Sequence, residues 1–147
     1  MMLGFYVFMV SMGAKPLLSM IAALAYALGS YNIIIIAVGH ITKAWAMAMI
    51  APILGGMILV FRRKWLAGAV MFTLSLGLQI GFNHIQITYY TMLAAFILGL
   101  CYLIYAIKEK TIKDFTLGGG MLVLCAAIAF LPNSSHFKLN SEYVKYT

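Results

Sequence analysis

From Trp65 to Ile107 the chain carries no Asp, Glu, Lys or Arg, and the same holds from Met1 to Ala14, Pro16 to Thr42 and Ala44 to Phe61. Long uncharged runs broken by short basic clusters leave few folds open. A soluble domain covers its surface with charge at roughly a quarter of its positions. Here 9% of residues are charged and 65% are hydrophobic, with a mean hydropathy of +1.02. So little charge cannot cover a water-facing surface, and the expectation is an integral membrane protein.

A helix needs about 20 apolar residues to cross the hydrocarbon core, with about 17–25 usable. Six segments qualify as candidates, near 1–14, 16–38, 44–61, 65–82, 85–107 and 115–131. The first is short for a span. The second is interrupted by Gly29-Ser30-Tyr31-Asn32, and the third contains Pro52. The predicted fold is all-α: a polytopic transmembrane helical bundle of five to six membrane segments over 1–132, with a polar tail at 133–147. In lipid, irregular backbone survives only where protein or water satisfies it. The interruption at Gly29 therefore predicts a broken helix lining a cavity, or a helix that ends early and leaves "IIIIAV" extended or re-entrant.

The net charge is +7, yet the basic residues punctuate the ends of apolar runs instead of gathering on one polar face. Nucleic acid is not an expected partner. If all six segments cross, Lys15, Arg62, Arg63, Lys64, Lys108, Lys110 and Lys113 share one side, leaving Lys43, Lys138 and Lys145 on the other. The excess of Lys and Arg in short loops marks the cytoplasmic side, so the loops at 62–64 and 108–114 are expected in the cytoplasm. His40, His84 and the tail then face the exterior. This places Met1 outside ahead of a short first span, which fits either a missing native start or a re-entrant first segment. No basic region precedes the first apolar run, so it does not read as a cleavable signal peptide. Cys101 and Cys125 lie in separate segments without metal-ligand spacing; no metal site is expected, and both read as small packing residues.

Two turns on the exterior side concentrate polar groups. In "GHITKAW", His40 and Lys43 lie three apart on one helical face. They fit either ordinary interfacial anchoring together with Trp45, or donation to a phosphate near a helix N-terminus. In "GFNHIQITYY", a helix starting near Asn83 would align Asn83, Gln86 and Tyr90 in one stripe and His84, Thr88 and Thr91 in the next. A cap requires one polar side chain, whereas this stretch also offers His84, Gln86, Tyr89 and Tyr90. Both a cap and a wet, ligand-facing vestibule fit. Ala69, Thr73, Gly77 and Gly81 recur every fourth residue, a small-residue row suited to close helix packing in membranes. Gln79 lies off that row and should bond to a neighbouring helix. "TLGGGM", at Thr116 to Met121, suggests a flexible, closely packed start of a helix. It is not a phosphate loop, since no Lys-Ser/Thr follows.

The acids are Glu109, Asp114 and Glu142, none within an apolar run. Proton relays and cation-coupled carriers place carboxylates in the membrane, and sugar transfer needs one near the reacting carbon. No catalytic residue can be assigned.

"GHITKAW", "FRRKWLAG" and "GFNHIQITYY" leading into "LIYAIKEK" together resemble the YfhO-like family of large bacterial membrane proteins, most of all its Bacteroidetes members, over nearly the whole chain. The resemblance implies an internal fragment of a longer protein of the GT-C glycosyltransferase class. Such a protein would use a polyprenyl-phosphate-linked sugar at the extracytoplasmic face of the bacterial cytoplasmic membrane. It implies that His40, Lys43, Asn83, His84, Gln86, Tyr89 and Tyr90 line an external substrate vestibule, with Lys43 meeting the lipid-linked phosphate. The family's acidic external loop is absent from this chain, which alone is expected to be inactive. The chain carries no cofactor of its own; its expected partners are the bilayer, the lipid-linked sugar and the rest of the full-length protein. A transporter or flippase-like bundle, or a structural subunit without chemistry, are the alternatives.

Overall fold

The computed structural model describes residues 1–134, and within them every regular element is helical. Eight helices follow in order: α1 (Met2–Ser11), α2 (Pro16–Ala27), α3 (Ser30–Ala37), α4 (Ile41–Ala48), α5 (Ile50–Phe61), α6 (Trp65–Gly81), α7 (Ile85–Lys108) and α8 (Ile112–Phe130). A 3₁₀ turn at Leu131–Asn133 closes them. Most of the expected tail, with His136, lies outside the described residues.

Three stretches are long and apolar enough to cross a membrane: Ile41–Phe61, Ile85–Lys108 and Ile112–Asn133. The pair α2 and α3 would add a fourth as one span bent by 45°. α1 and α6 fall short of that length; at 1.5 Å per residue, α1 rises only about 15 Å.

The third stretch starts at Ile41, three residues before its expected boundary, and its helical ladder breaks at Met49 where α4 hands over to α5. Pro52 is the cause. Its nitrogen cannot donate to the Ala48 carbonyl four residues back, so the ladder tightens there and Met49 N–H bonds to Ala46 O at 3.3 Å. α1 packs against this break at Gly4, where a Cβ would sit 2.9 Å from Ala48 O and 3.0 Å from Pro52 Cδ.

α5 is the hub. Eight of its twelve residues are buried, glycines and aliphatics alike. Gly55 lies against Phe8 and Ser11 of α1, Gly56 against Gly68 and Phe72 of α6, and Val60 against Gly118 of α8. α6 in turn carries α8, with Gly77 opposite Ala129 and Gly81 opposite Asn133. The predicted small-residue row therefore meets α8 at Gly77 and Gly81, while the tightest helix contact uses Gly68, outside that row. α7 is the outlying helix: 11% of its apolar window is buried, against 56% for Ile41–Phe61. Its outer side chains face whatever surrounds the protein.

The break in the second segment takes the broken-helix form. The chain leaves helix at Leu28–Gly29 and resumes at Ser30, so "IIIIAV" is helical as far as Ala37, not extended. Buried Asn32 reaches back to donate Nδ2–H to Tyr26 O at 2.7 Å, satisfying a carbonyl that the break released. The expected flexible start at "TLGGGM" is corrected too: Thr116 to Met121 lie inside continuous α8. Only Gly118 of the three glycines is closely packed, against Phe61 and Val60.

The turns after α1, α3, α5, α6 and α7 use left-handed residues: Gly13, Gly39, Arg63, Asn83 and Lys110. Asn83, at φ 52°, terminates α6, its N–H bonding to Ile80 O at 2.9 Å. It is therefore not the cap of α7; His84 holds that position and makes no side-chain capping bond. Asparagine tolerates left-handed backbone better than most residues, and β-branched residues tolerate it least. Asn83→Val is expected to cost about 1–2 kcal/mol relative to Asn83→Gly, read as a difference in melting temperature in detergent.

Candidate functional site

Hydrogen bonds and ring contacts sort the turns into two ends of the bundle. At one end, Arg62 donates Nη1–H to Ser11 O at 2.9 Å and Nη2–H to Met12 O at 3.0 Å. The C-terminus of α1 is thereby tied to that of α5. Arg63 pairs with Asp114 on the first turn of α8, bringing the α7–α8 turn to the same end. Arg62, Arg63, Lys64, Lys108, Lys110 and Lys113 collect here with Glu109 and Asp114.

At the other end, Trp45 near the start of α4 lies against Phe82 at the end of α6, ring centroids 5.4 Å apart. This contact brings the turn bearing His40 and Lys43 beside the turn bearing Asn83 and His84. Asn133 joins from the 3₁₀ turn after α8, its Nδ2 donating to Gly77 O at 3.0 Å and Ala129 O at 3.1 Å.

The residues singled out from sequence thus share one end, but they form a rim. His40, Asn83, Gln86, Tyr89 and Tyr90 are exposed, while His84 and Lys43 are partly covered. Tyr89 and Tyr90 meet edge to face, ring centroids 5.7 Å apart, at 64% and 53% exposure. These exposures describe an open surface without enclosure. The Lys43 ammonium stands 5.7 Å from the Tyr31 ring centroid, close enough for a cation–π attraction. The rim offers cation and hydrogen-bond donors to a negative group at the bundle end. Among the described residues it holds no acid, and no group of three His, Cys, Asp or Glu among them could hold a metal ion.

The buried polar chemistry lies elsewhere. Thr91, expected to share a stripe with His84 and Thr88, is almost fully buried and donates to Ile87 O at 2.8 Å. Gln79, at 0% exposure, donates Nε2–H to Ala46 O at 2.9 Å and to Thr91 Oγ1 at 3.0 Å. One amide ties α4, α6 and α7 together. Its Oε1 has no hydrogen-bond partner. Sequence identified Gln79 as a bridging residue but gave no sign of Ala46, a backbone acceptor near the α4–α5 break. Cys125 packs in the core, whereas Cys101 is exposed, contrary to the packing role expected for both.

No protein-family model, curated protein or solved structure matches this chain.

Proposed function

We propose that this chain is a multi-pass helical module of the bacterial cytoplasmic membrane, related to the YfhO-like GT-C proteins and without chemistry of its own. Its polar rim meets the phosphate of a polyprenyl-linked sugar on the extracytoplasmic side. The observation that carries the reading is the Trp45–Phe82 contact. It gathers Lys43, His40 and His84 at the end opposite Arg62 and Arg63, with long apolar helices between. An ammonium at the same end as an exposed His40, a partly covered His84 and exposed tyrosines suits a lipid-linked phosphate at interface depth, where lysine acts as a point charge. The described acids stand at the opposite end, so a base for sugar transfer would come from outside this segment.

The transporter reading drew on the broken second segment. There, Asn32 already fills the hydrogen-bonding need of Tyr26 O; the break offers that carbonyl to no substrate.

Single-cysteine labelling tests the arrangement. With Cys101 and Cys125 replaced by Ser, Arg63→Cys and His84→Cys are each exposed to a membrane-impermeant maleimide in intact cells. His84→Cys is expected to react at once, and Arg63→Cys only after permeabilisation. Reaction of both from one compartment would discard the crossing pattern. For the ligand, Lys43→Ala combined with His84→Ala is expected to weaken retention of polyprenyl phosphate in liposomes about tenfold or more, the loss of one charge-assisted contact or two. Unchanged retention would remove the substrate assignment and leave the topology standing.

A further inference from the structure

At the basic end a cleft of about 450 Å³ opens between the ends of α5 and α7 and the start of α8. Its polar lining comes from Arg62, Tyr102, Tyr105, Thr111 and Asp114. Its floor is an aromatic stack: Phe61 lies 4.7 Å from Tyr102 and 5.3 Å from Phe115. On the far side of Phe61 and Phe115 a second groove of about 340 Å³ runs between α7 and α8. That groove is apolar, lined by Phe96, Gly99, Leu103, Gly119 and Leu122 among others. Both cavities are bounded by Phe61 and Phe115, so a polar cleft at the basic end and an oily groove adjoin across those rings.

We infer that this pair of cavities binds an anionic phospholipid, with the headgroup phosphate in the cleft and one acyl chain in the α7–α8 groove. Charge selects the headgroup. Arg62 has five N–H donors and uses one each from Nη1 and Nη2 on the α1 carbonyls, leaving others for a phosphate. Lys108, Lys110 and Lys113 surround the α7–α8 turn, all exposed. The acid that lines the cleft, Asp114, is paired with Arg63, which offsets its repulsion. Basic residues near a bilayer surface attract anionic lipid.

Position selects the tail. The groove follows α7 from Ala95 to Leu103, about 12 Å of helix rise, and it adjoins the headgroup cleft across Phe61 and Phe115, where an acyl chain of a lipid held by its phosphate would lie. A Cβ built at Gly119 would meet no described atom within 4 Å, so the α8 wall is open where the chain would lie. The inference rests on the membrane part of the proposed function and not on its orientation or its sugar.

The test is native mass spectrometry of the chain in detergent, titrated with phosphatidylglycerol or with phosphatidylcholine of matched acyl chains. About a tenfold preference for phosphatidylglycerol is expected. Lys108→Gln with Lys113→Gln, both on the exposed turn, is expected to abolish the preference while phosphatidylcholine binding stays. Gly119→Leu fills the groove and is expected to remove the phosphatidylglycerol adduct. Gly120→Leu, next along α8 and also open within 4 Å but outside the groove, is expected to keep it. Equal binding of the two lipids, or adducts unchanged by Gly119→Leu, would overturn the inference. Loss of a dimer in Gly119→Leu with lipid binding intact would overturn it too, by assigning the groove to a second copy. The cysteine labelling above decides topology separately, so either can fail alone.

Discussion

Gly68→Val is expected to lower the stability of the bundle by about 3 kcal/mol, the upper range for overpacking a filled interior. A Cβ at residue 68 would stand 2.6 Å from Val60 N and 2.7 Å from Gly56 O. Both are backbone atoms, so no side-chain rotation can make room; α6 must move away from α5. The opposing glycine is equally confined, with a Cβ at Gly56 reaching 2.7 Å from Phe72 N and 3.0 Å from Gly68 O. Each glycine lets the other helix in. Because α5 also receives α1 at Gly55 and α8 at Val60, separating α5 from α6 loosens contacts on every side of the hub. The readout is the loss of the monodisperse species on size exclusion after heating in detergent. Gly120→Val is the control, since it makes the same change in helix propensity where a Cβ meets nothing. Equal melting of the two variants would show that the α5–α6 contact does not hold the fold.

This contact illustrates how far the sequence could be read. The small-residue row was visible, and its Gly77 and Gly81 do meet α8. Gly68 was hidden because α6 is small or apolar on several faces, and spacing cannot tell which face meets which helix when lipid and protein interior are both oily. For the same reason segment ends were legible from charge and turn residues: α6 and α7 end within a residue of their expected limits. The long apolar Ile41–Phe61 gave no sign of its break at Met49 beyond Pro52 itself. The break at Gly29 was visible, but its repair by Asn32 was not, since a side chain reaching six residues back leaves no periodic signature.

The polar turn was legible as a place and only partly as a function. "GFNHIQITYY" divides between three physical roles. Asn83 turns the chain, Ile87 enters the interior, as does Thr91 just beyond the stretch, and Gln86, Tyr89 and Tyr90 remain exposed. Density of polar residues suggested a shared pocket; backbone conformation and helix phase send neighbouring side chains to different environments. What survives of a site is the adjacency of two turns through Trp45 and Phe82. That depends on how α4 leans on α6, a tertiary fact absent from either local sequence.

Gln79→Glu is expected to destabilise the bundle by several kcal/mol, as an effectively unpaired charge in the interior does, while Gln79→Met is expected to change stability by less than about 1 kcal/mol. The Ala46 carbonyl and the Thr91 hydroxyl oxygen both accept from the Gln79 amide, and the Thr91 proton is given to Ile87 O. A carboxylate in that position would face acceptor oxygens where the amide presents hydrogens. Methionine creates no comparable conflict. It gives up two bonds worth about 0.5–1.5 kcal/mol each but also removes a buried oxygen, Oε1, that has no partner and costs about 1–3 kcal/mol as it stands. Thr91 keeps its bond to Ile87 O, and the Ala46 carbonyl keeps its backbone donor from Met49, so no new orphan results. Melting curves in detergent for the two variants, compared with the parent chain, decide the matter. If the methionine variant falls as far as the glutamate variant, the amide bonds themselves hold α4, α6 and α7 together. If neither falls, the three helices are held by apolar contact alone. The order expected from the hydrogen-bond pattern is parent and methionine together, with glutamate far below, because this site is built to present donors and can tolerate their absence better than it can tolerate a negative charge.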